Sequence, residues 1–199
     1  SNLGDSFSLS LLNPAEIPSV EELKARVKTF AEGLMQLKAA PPVAEYYNGP
    51  IMFEGGAVAT ILANNLLYRG GLIAARSLMP TGRGLADQFG QKIVDERLTV
   101  KNYTNKKEYN GTPLYRYYEL DGDGGTPEPE MVLVEKGVFK KMLNGRIPAL
   151  KAPETTGSSR FTMSPQSPTW VTGTGTIHVQ AEKGTAPKKM KKLLIKTAK

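Results

Sequence analysis

The residues that could do chemistry in this chain are few, and their spacing is informative. Glu54 lies in "NGPIMFEGGAVATIL" (48–62), where a Gly-Pro break leads through an apolar run into two glycines and a small-residue helical pattern. A carboxylate at such a turn could act as a general base or a metal ligand. Asp121 and Asp123 sit in "DGDGG", which starts like a calcium loop but lacks the later ligands, including the glutamate at position twelve. That stretch reads as a solvated turn, with an all-carboxylate Mg²⁺ or Ca²⁺ site as the alternative. His178 is the one histidine, and there is no cysteine. Zinc needs three or four converging N, S or O ligands, so His178, alternating with Ile177 and Val179, reads as a structural strand residue.

Other chemistries fail on pattern. "FEGGAVAT" contains neither the P-loop nor the dinucleotide fingerprint, and Glu54 would repel an anion approaching the helix while suiting the dipole as a first-turn acid. "TGRG" (81–84) offers one arginine between glycines as an anion cradle. No serine sits in a G-x-S-x-G elbow. Zero cysteines also exclude disulfides and fit a reducing compartment.

The elements that must position these residues divide into helices first and strands after. The segment "PSVEELKARVKTFAEGLMQLKAA" predicts a helix over 19–39. Ser19 and Glu22 make a capping box, and Leu23, Val27, Phe30, Leu34 and Leu37 form an apolar face. Pro41-Pro42 ends it. A short strand over 50–53 leads to a helix over about 56–67, and a glycine-bearing loop covers 68–87. Strands are expected in "KIVDERLTVKNYT", "TPLYRYYEL" and "TGTIHVQAE", with a tight hairpin turning at Lys136-Gly137. A last helix begins near Thr185, its candidate cap, and carries Met190, Leu193 and Leu194 on one side. The fold class is α+β: N-terminal helices, then a mixed, mainly antiparallel sheet with long loops. A segment 1–44 would precede a domain 45–199.

The 199 residues carry a formal charge of +7, with 40% hydrophobic and 23% charged residues, as in an ordinary globular chain. Six lysines (Lys188, Lys189, Lys191, Lys192, Lys196 and Lys199) crowd the last dozen residues, so the rest carries +7 − 6 = +1. A nucleic-acid binder spreads its charge along a docking face, so this distribution argues against nucleic acid and for a solvated helix face. No apolar run reaches the length of a membrane span, and the first residues lack a basic region followed by an apolar one, so nothing here argues for a membrane or an export signal. Both ends break off within their local patterns, which is the expectation for a fragment.

Taken in order, "YYNGPIMFEGGAVATIL", "KIVDERLTVKN", "NGTPLYRYYEL", "MVLVEKGVFKKMLNGRIPAL" and "TTGSSRF" resemble the TldD/PmbA family, also labelled modulators of DNA gyrase and related to U62 peptidases. The resemblance covers about 45–199 and implies a bacterial, cytoplasmic protein truncated at the C-terminal end of that domain. Catalytic members are metalloproteases with H-E-x-x-x-H on the helix after the Gly-Pro strand, two histidines and a later cysteine holding the metal. Here the glutamate matches Glu54, while Phe53 and Val58 stand at the histidine positions and no cysteine exists.

The resemblance therefore implies a PmbA-type, non-catalytic subunit of a peptide-processing protease, with no metal of its own and zinc in a TldD-type catalytic partner. Self-association as a dimer is the other implied contact. Glu54, Gly55, Gly56 and Arg160 are the candidate peptide-binding residues. Two alternatives stay open: an active metallopeptidase with relocated ligands such as Asp121 and Asp123, and a binding module for DNA gyrase or a DNA-associated partner acting through the lysine helix.

Overall fold

The computed structural model describes residues 8–9, 11, 13–42, 46–68, 71–73, 85–147, 152–163 and 168–197. The chain forms two compact units, Ser1–Gly49 and Pro50–Lys199. In the first, a 3₁₀ turn (Pro14–Glu16) precedes helix α1 (Val20–Ala39). The capping box forms as the sequence predicts: the Glu22 N–H donates to Ser19 Oγ at 3.2 Å, and the Ser19 N–H donates to Glu22 Oε2 at 2.9 Å. No residue of α1 is buried, so its apolar face is formed but lies open within its own unit.

In the second unit α2 (Gly56–Leu62) runs directly into a π-helical turn (Ala63–Tyr68). The wider turn departs from the continuous helix expected to residue 67, and it directs Leu66 and Leu67 inward. Among the described residues eight strands follow: β1 (Leu98–Tyr103), β2 (Glu108–Tyr109), β3 (Thr112–Pro113), β4 (Glu130–Glu135), β5 (Val138–Phe139), β6 (Ser159–Met163), β7 (Pro168–Thr172) and β8 (Thr176–Ala181). A terminal helix, α3, spans Pro187–Thr197. The main sheet has the order β5-β4-β1-β8, and β2-β3 and β6-β7 form separate two-stranded sheets. Among the described residues every strand pair is antiparallel, and one isolated parallel bridge joins Ile73 to Leu143.

The expected turn at Lys136-Gly137 connects β4 to β5, with φ of 45° and 79° at the two residues. Both angles suit a type I′ turn, and a Cβ on Gly137 would stand 2.6 Å from the Val94 carbonyl oxygen. The β1–β4 register shifts by one between Val100 and Lys101. That irregularity breaks the period-2 alternation, so the consecutive residues Leu133 and Val134 are both buried. They pack with Val100, Met131 and Phe139 from the sheet, with Met142 and Leu143 just after β5, and with Leu66, Leu67 and Leu72 from the π-helical turn and the segment after it. Full burial of each such side chain contributes about 1.5–3 kcal/mol.

Several expected elements differ. Residues 50–53 pair with no strand among the described residues, and the strand expected over 112–120 is limited to Thr112–Pro113. Strand β1 begins at Leu98, six residues later than its apolar pattern suggests. Helix α3 starts at Pro187, a residue pre-set for a first helical position, which leaves Thr185 outside it. Most of the expected loop 68–87, including 81–84, lies outside the described residues. No helix of the described residues is long and apolar enough to cross a membrane.

Candidate functional site

Helix α2 opens on Gly55, whose φ of 57° and ψ of −135° belong to glycine's range, and no side chain caps the helix. Glu54 therefore sits before the cap and not in the first turn, where the dipole argument had placed it. It pairs instead with Lys191 of α3 at 3.2 Å, both side chains being well exposed. Phe53 is 48% exposed and Val58 37%.

Behind this opening a cavity of about 410 Å³ runs between α2 and the sheet. Gly55, Val58, Leu62 and Leu66 line it on the helical side, and Val100, Ile177 and Val179 on the sheet side. Its walls carry no titratable side chain. Such a groove can hold aliphatic or aromatic groups against a low-dielectric surface, and it offers nothing to a cation.

A second region gathers the remaining motifs into a polar knot. Asp121 is 7% exposed. Its Oδ1 accepts from the N–H groups of Asp123 (3.0 Å) and Gly125 (2.7 Å), and its Oδ2 from the Ser159 N–H (3.0 Å). The Gly122 N–H donates to the Ser159 carbonyl at 2.7 Å, which ties the turn to β6. Asp123 Oδ2 accepts from the Arg146 N–H at 3.3 Å. Asn144 joins from the next segment: Thr156 Oγ1 accepts from its N–H at 2.7 Å, and its carbonyl accepts from the Thr156 and Ser158 N–H groups. Tyr118 donates its hydroxyl to the Gly157 carbonyl at 3.1 Å, and burial raises its pKa. The Arg160 guanidinium covers the Tyr118 ring at 4.0 Å from its centroid.

The knot explains "DGDGG" and "TTGSSR" as architecture. Three backbone N–H groups already occupy the Asp121 carboxylate, so the turn reads as a buried clasp and not the solvated loop the sequence suggests. Among the described residues no three His, Asp or Glu side chains converge as a metal-binding set.

A smaller cavity, of about 240 Å³, opens beside β8. It is lined by Tyr103, Lys106, Tyr109, Leu114 and His178 together with neighbouring β8 residues. Sequence reasoning missed it because Tyr109 reaches His178 only through the β2–β3 hairpin. The available signal was Asn110-Gly111, whose φ of 49° and 77° make the type I′ turn between those strands.

Comparison with known proteins identifies the groove-bearing unit. A family profile described as the PmbA/TldA metallopeptidase C-terminal domain matches residues 47–195, three-quarters of the chain. This chain belongs to the TldD/PmbA family. Among solved structures, TldE from Thermococcus kodakarensis matches with a TM-score of 0.50 and 19% identity. That match covers 82% of this chain and 35% of the archaeal one, so the chain spans about a third of that relative, and the likeness concerns the fold. A Bacteroides thetaiotaomicron protein described as a candidate modulator of DNA gyrase matches with 16% identity and a TM-score of 0.37. It covers 61% of this chain and 23% of its own. No curated protein matches the sequence.

Set against the family's H-E-x-x-x-H pattern, the residues here do not fit a metal. Phe53 and Val58 have no lone pair to donate, and Val58 lines the apolar groove. Glu54 faces a lysine. Of the candidate peptide-binding residues, Glu54, Gly55 and Gly56 are contiguous at the α2 opening, whereas Arg160 makes its contacts with Tyr118 in the knot.

Proposed function

We propose that this chain is a catalytically silent, PmbA-type subunit of a metalloprotease complex that processes flexible peptides. The observation that carries this reading is the pair Phe53 and Val58 on either side of Glu54, at positions where the catalytic pattern needs imidazoles. Water away from a metal has a pKa near 15.7 in place of about 7. Glu54, paired with Lys191, has no activated nucleophile to deprotonate.

In this reading zinc resides in a TldD-type catalytic subunit in the cytoplasm, and this chain completes the cavity by pairing with that subunit or with its own copy. The groove beside α2 supports a role in holding an extended peptide. So does β8, which pairs with β1 and with no other strand among the described residues. An added strand there would gain main-chain hydrogen bonds without demanding a particular sequence. Glu54, Gly55 and Gly56 would meet the peptide at the α2 opening, and Arg160 would act through the knot.

Reconstitution tests the reading. The purified chain is assayed on an unstructured fluorogenic peptide, alone and with a TldD-type subunit from the same source. Hydrolysis that requires both proteins is the expected result. Chelator-sensitive hydrolysis by this chain alone would overturn it.

A further inference from the structure

The cavity beside β8 has the features of a small-ligand site that the peptide-processing reading leaves unused. Its walls form a layered set. Lys106 Nζ stands 3.6 Å above the Tyr103 ring centroid, the His178 ring lies 6.0 Å from that of Tyr103, and Tyr109 meets His178 edge-on at 5.2 Å.

Two of these groups have unmet bonding capacity. His178 Nδ1 is shielded from solvent and has no hydrogen-bond partner among the described residues, a costly state for a buried polar atom, and it does not open onto the cavity. Lys106 is half-buried and forms no ion pair among the described residues. The acid in its neighbourhood, Glu130, is already engaged by Lys101, an ion pair that lowers the glutamate's pKa and raises the lysine's. Glu130 also feels the Lys106 charge at longer range, but no carboxylate pairs directly with that cation among the described residues, and the rings around it supply flat apolar surface.

Size restricts the occupant further. Pockets for drug-sized molecules run to about 300–1,000 Å³, so about 240 Å³ suits one ring with a short substituent. Mostly apolar walls with a few placed polar groups are the usual composition of such sites.

We propose that this cavity binds a small planar aromatic carboxylate, with Lys106 holding the carboxylate and Tyr103, Tyr109 and the His178 ring flanking the aromatic ring. A lysine–carboxylate contact is charge-assisted and stronger than a neutral one. Edge-on and offset ring contacts add to the apolar burial.

The experiment uses the chain's one histidine as its reporter, since His178 alone gives imidazole proton resonances. The purified chain is titrated by NMR at constant pH with benzoate, with benzyl alcohol (the ring without the charge) and with acetate (the charge without the ring). Saturable movement of the His178 signals by benzoate, with at least tenfold weaker binding of the other two, is the expected result. Lys106→Gln should weaken benzoate at least fivefold and leave benzyl alcohol within twofold. Tyr109→Leu should weaken both aromatic probes. No saturable shift with benzoate, or equal benzoate affinity in Lys106→Gln, would overturn the proposal. Because Lys106 packs at the surface of the cavity, its variant reports on binding even if Tyr109→Leu loosens the hairpin.

Discussion

The groove beside α2 and the polar knot around Asp121 are built from opposite materials. The groove is walled by aliphatic side chains around about 410 Å³ of open space, with one exposed ion pair at its mouth. In the knot three N–H groups converge on a single buried carboxylate, and Ser159 Oγ is buried with no partner among the described residues. Both regions contain motifs that mark the family. A motif at an open surface retains the shape of a site after its ligands are gone, because glycine geometry and helix packing do not depend on them. A motif inside a hydrogen-bonded clasp has no such freedom, since losing one acceptor leaves several donors unpaired. Under the proposed function the knot supplies stability and the groove would meet the peptide.

Substitutions can break that contrast, and the largest effect is expected at Asp121. Asp121→Ala strands the N–H groups of Asp123, Gly125 and Ser159, and unsatisfied buried donors cost about 1–3 kcal/mol each. A loss of about 3 kcal/mol or more is expected in urea unfolding; a loss under about 1 kcal/mol would mean the clasp is not structural. Gly157→Ala comes next. Gly157 has a φ of 63°, and a Cβ there would lie 2.9 Å from Pro127 backbone atoms. Strained backbone of this kind costs about 1–3 kcal/mol, readable as a lower unfolding midpoint.

At the groove the effects shrink. Glu54→Gln removes an exposed pair with Lys191, and such pairs contribute about 0–1 kcal/mol. The melting temperature should stay nearly unchanged, while any peptide-holding role would appear as weaker substrate affinity in the reconstituted complex. A drop comparable with that of Asp121→Ala would erase the distinction between the regions.

The knot also has a pH signature. Burial raises the pKa of Tyr118, so the folded state holds the phenolic proton more tightly than the unfolded chain. The resulting stabilisation is present below the ordinary tyrosine value, about 10, and is lost as pH rises through the folded value. Urea midpoints should therefore fall with alkaline pH above about 10, and Tyr118→Phe should flatten that slope.

How much of this was legible in the sequence follows from the range of the interactions. Local signals read well: the Ser19–Glu22 box, the Lys136-Gly137 turn and the β8 alternation each depend on residues a few positions apart. The α+β class follows from the same patterns, and the family from motifs in order. The knot was not legible, because Asp121 finds Ser159 38 positions away and a bare "DGDGG" looks solvated. Nor could spacing show that Glu54 meets Lys191 across the whole unit, or that the bulge after Val100 would break the β4 alternation. Asn110-Gly111 was a readable turn that went unread. The strand expected over 112–120 fails because Tyr118 turns its hydroxyl to Gly157 and its backbone N–H to Thr104.

Metal content tests the central claim most directly. The purified chain, equilibrated with a modest excess of zinc and then desalted, is analysed by mass spectrometry for metal per protein. The account predicts far less than one zinc per chain, with Phe53→His combined with Val58→His raising retention. One tightly held zinc per unaltered chain would contradict it.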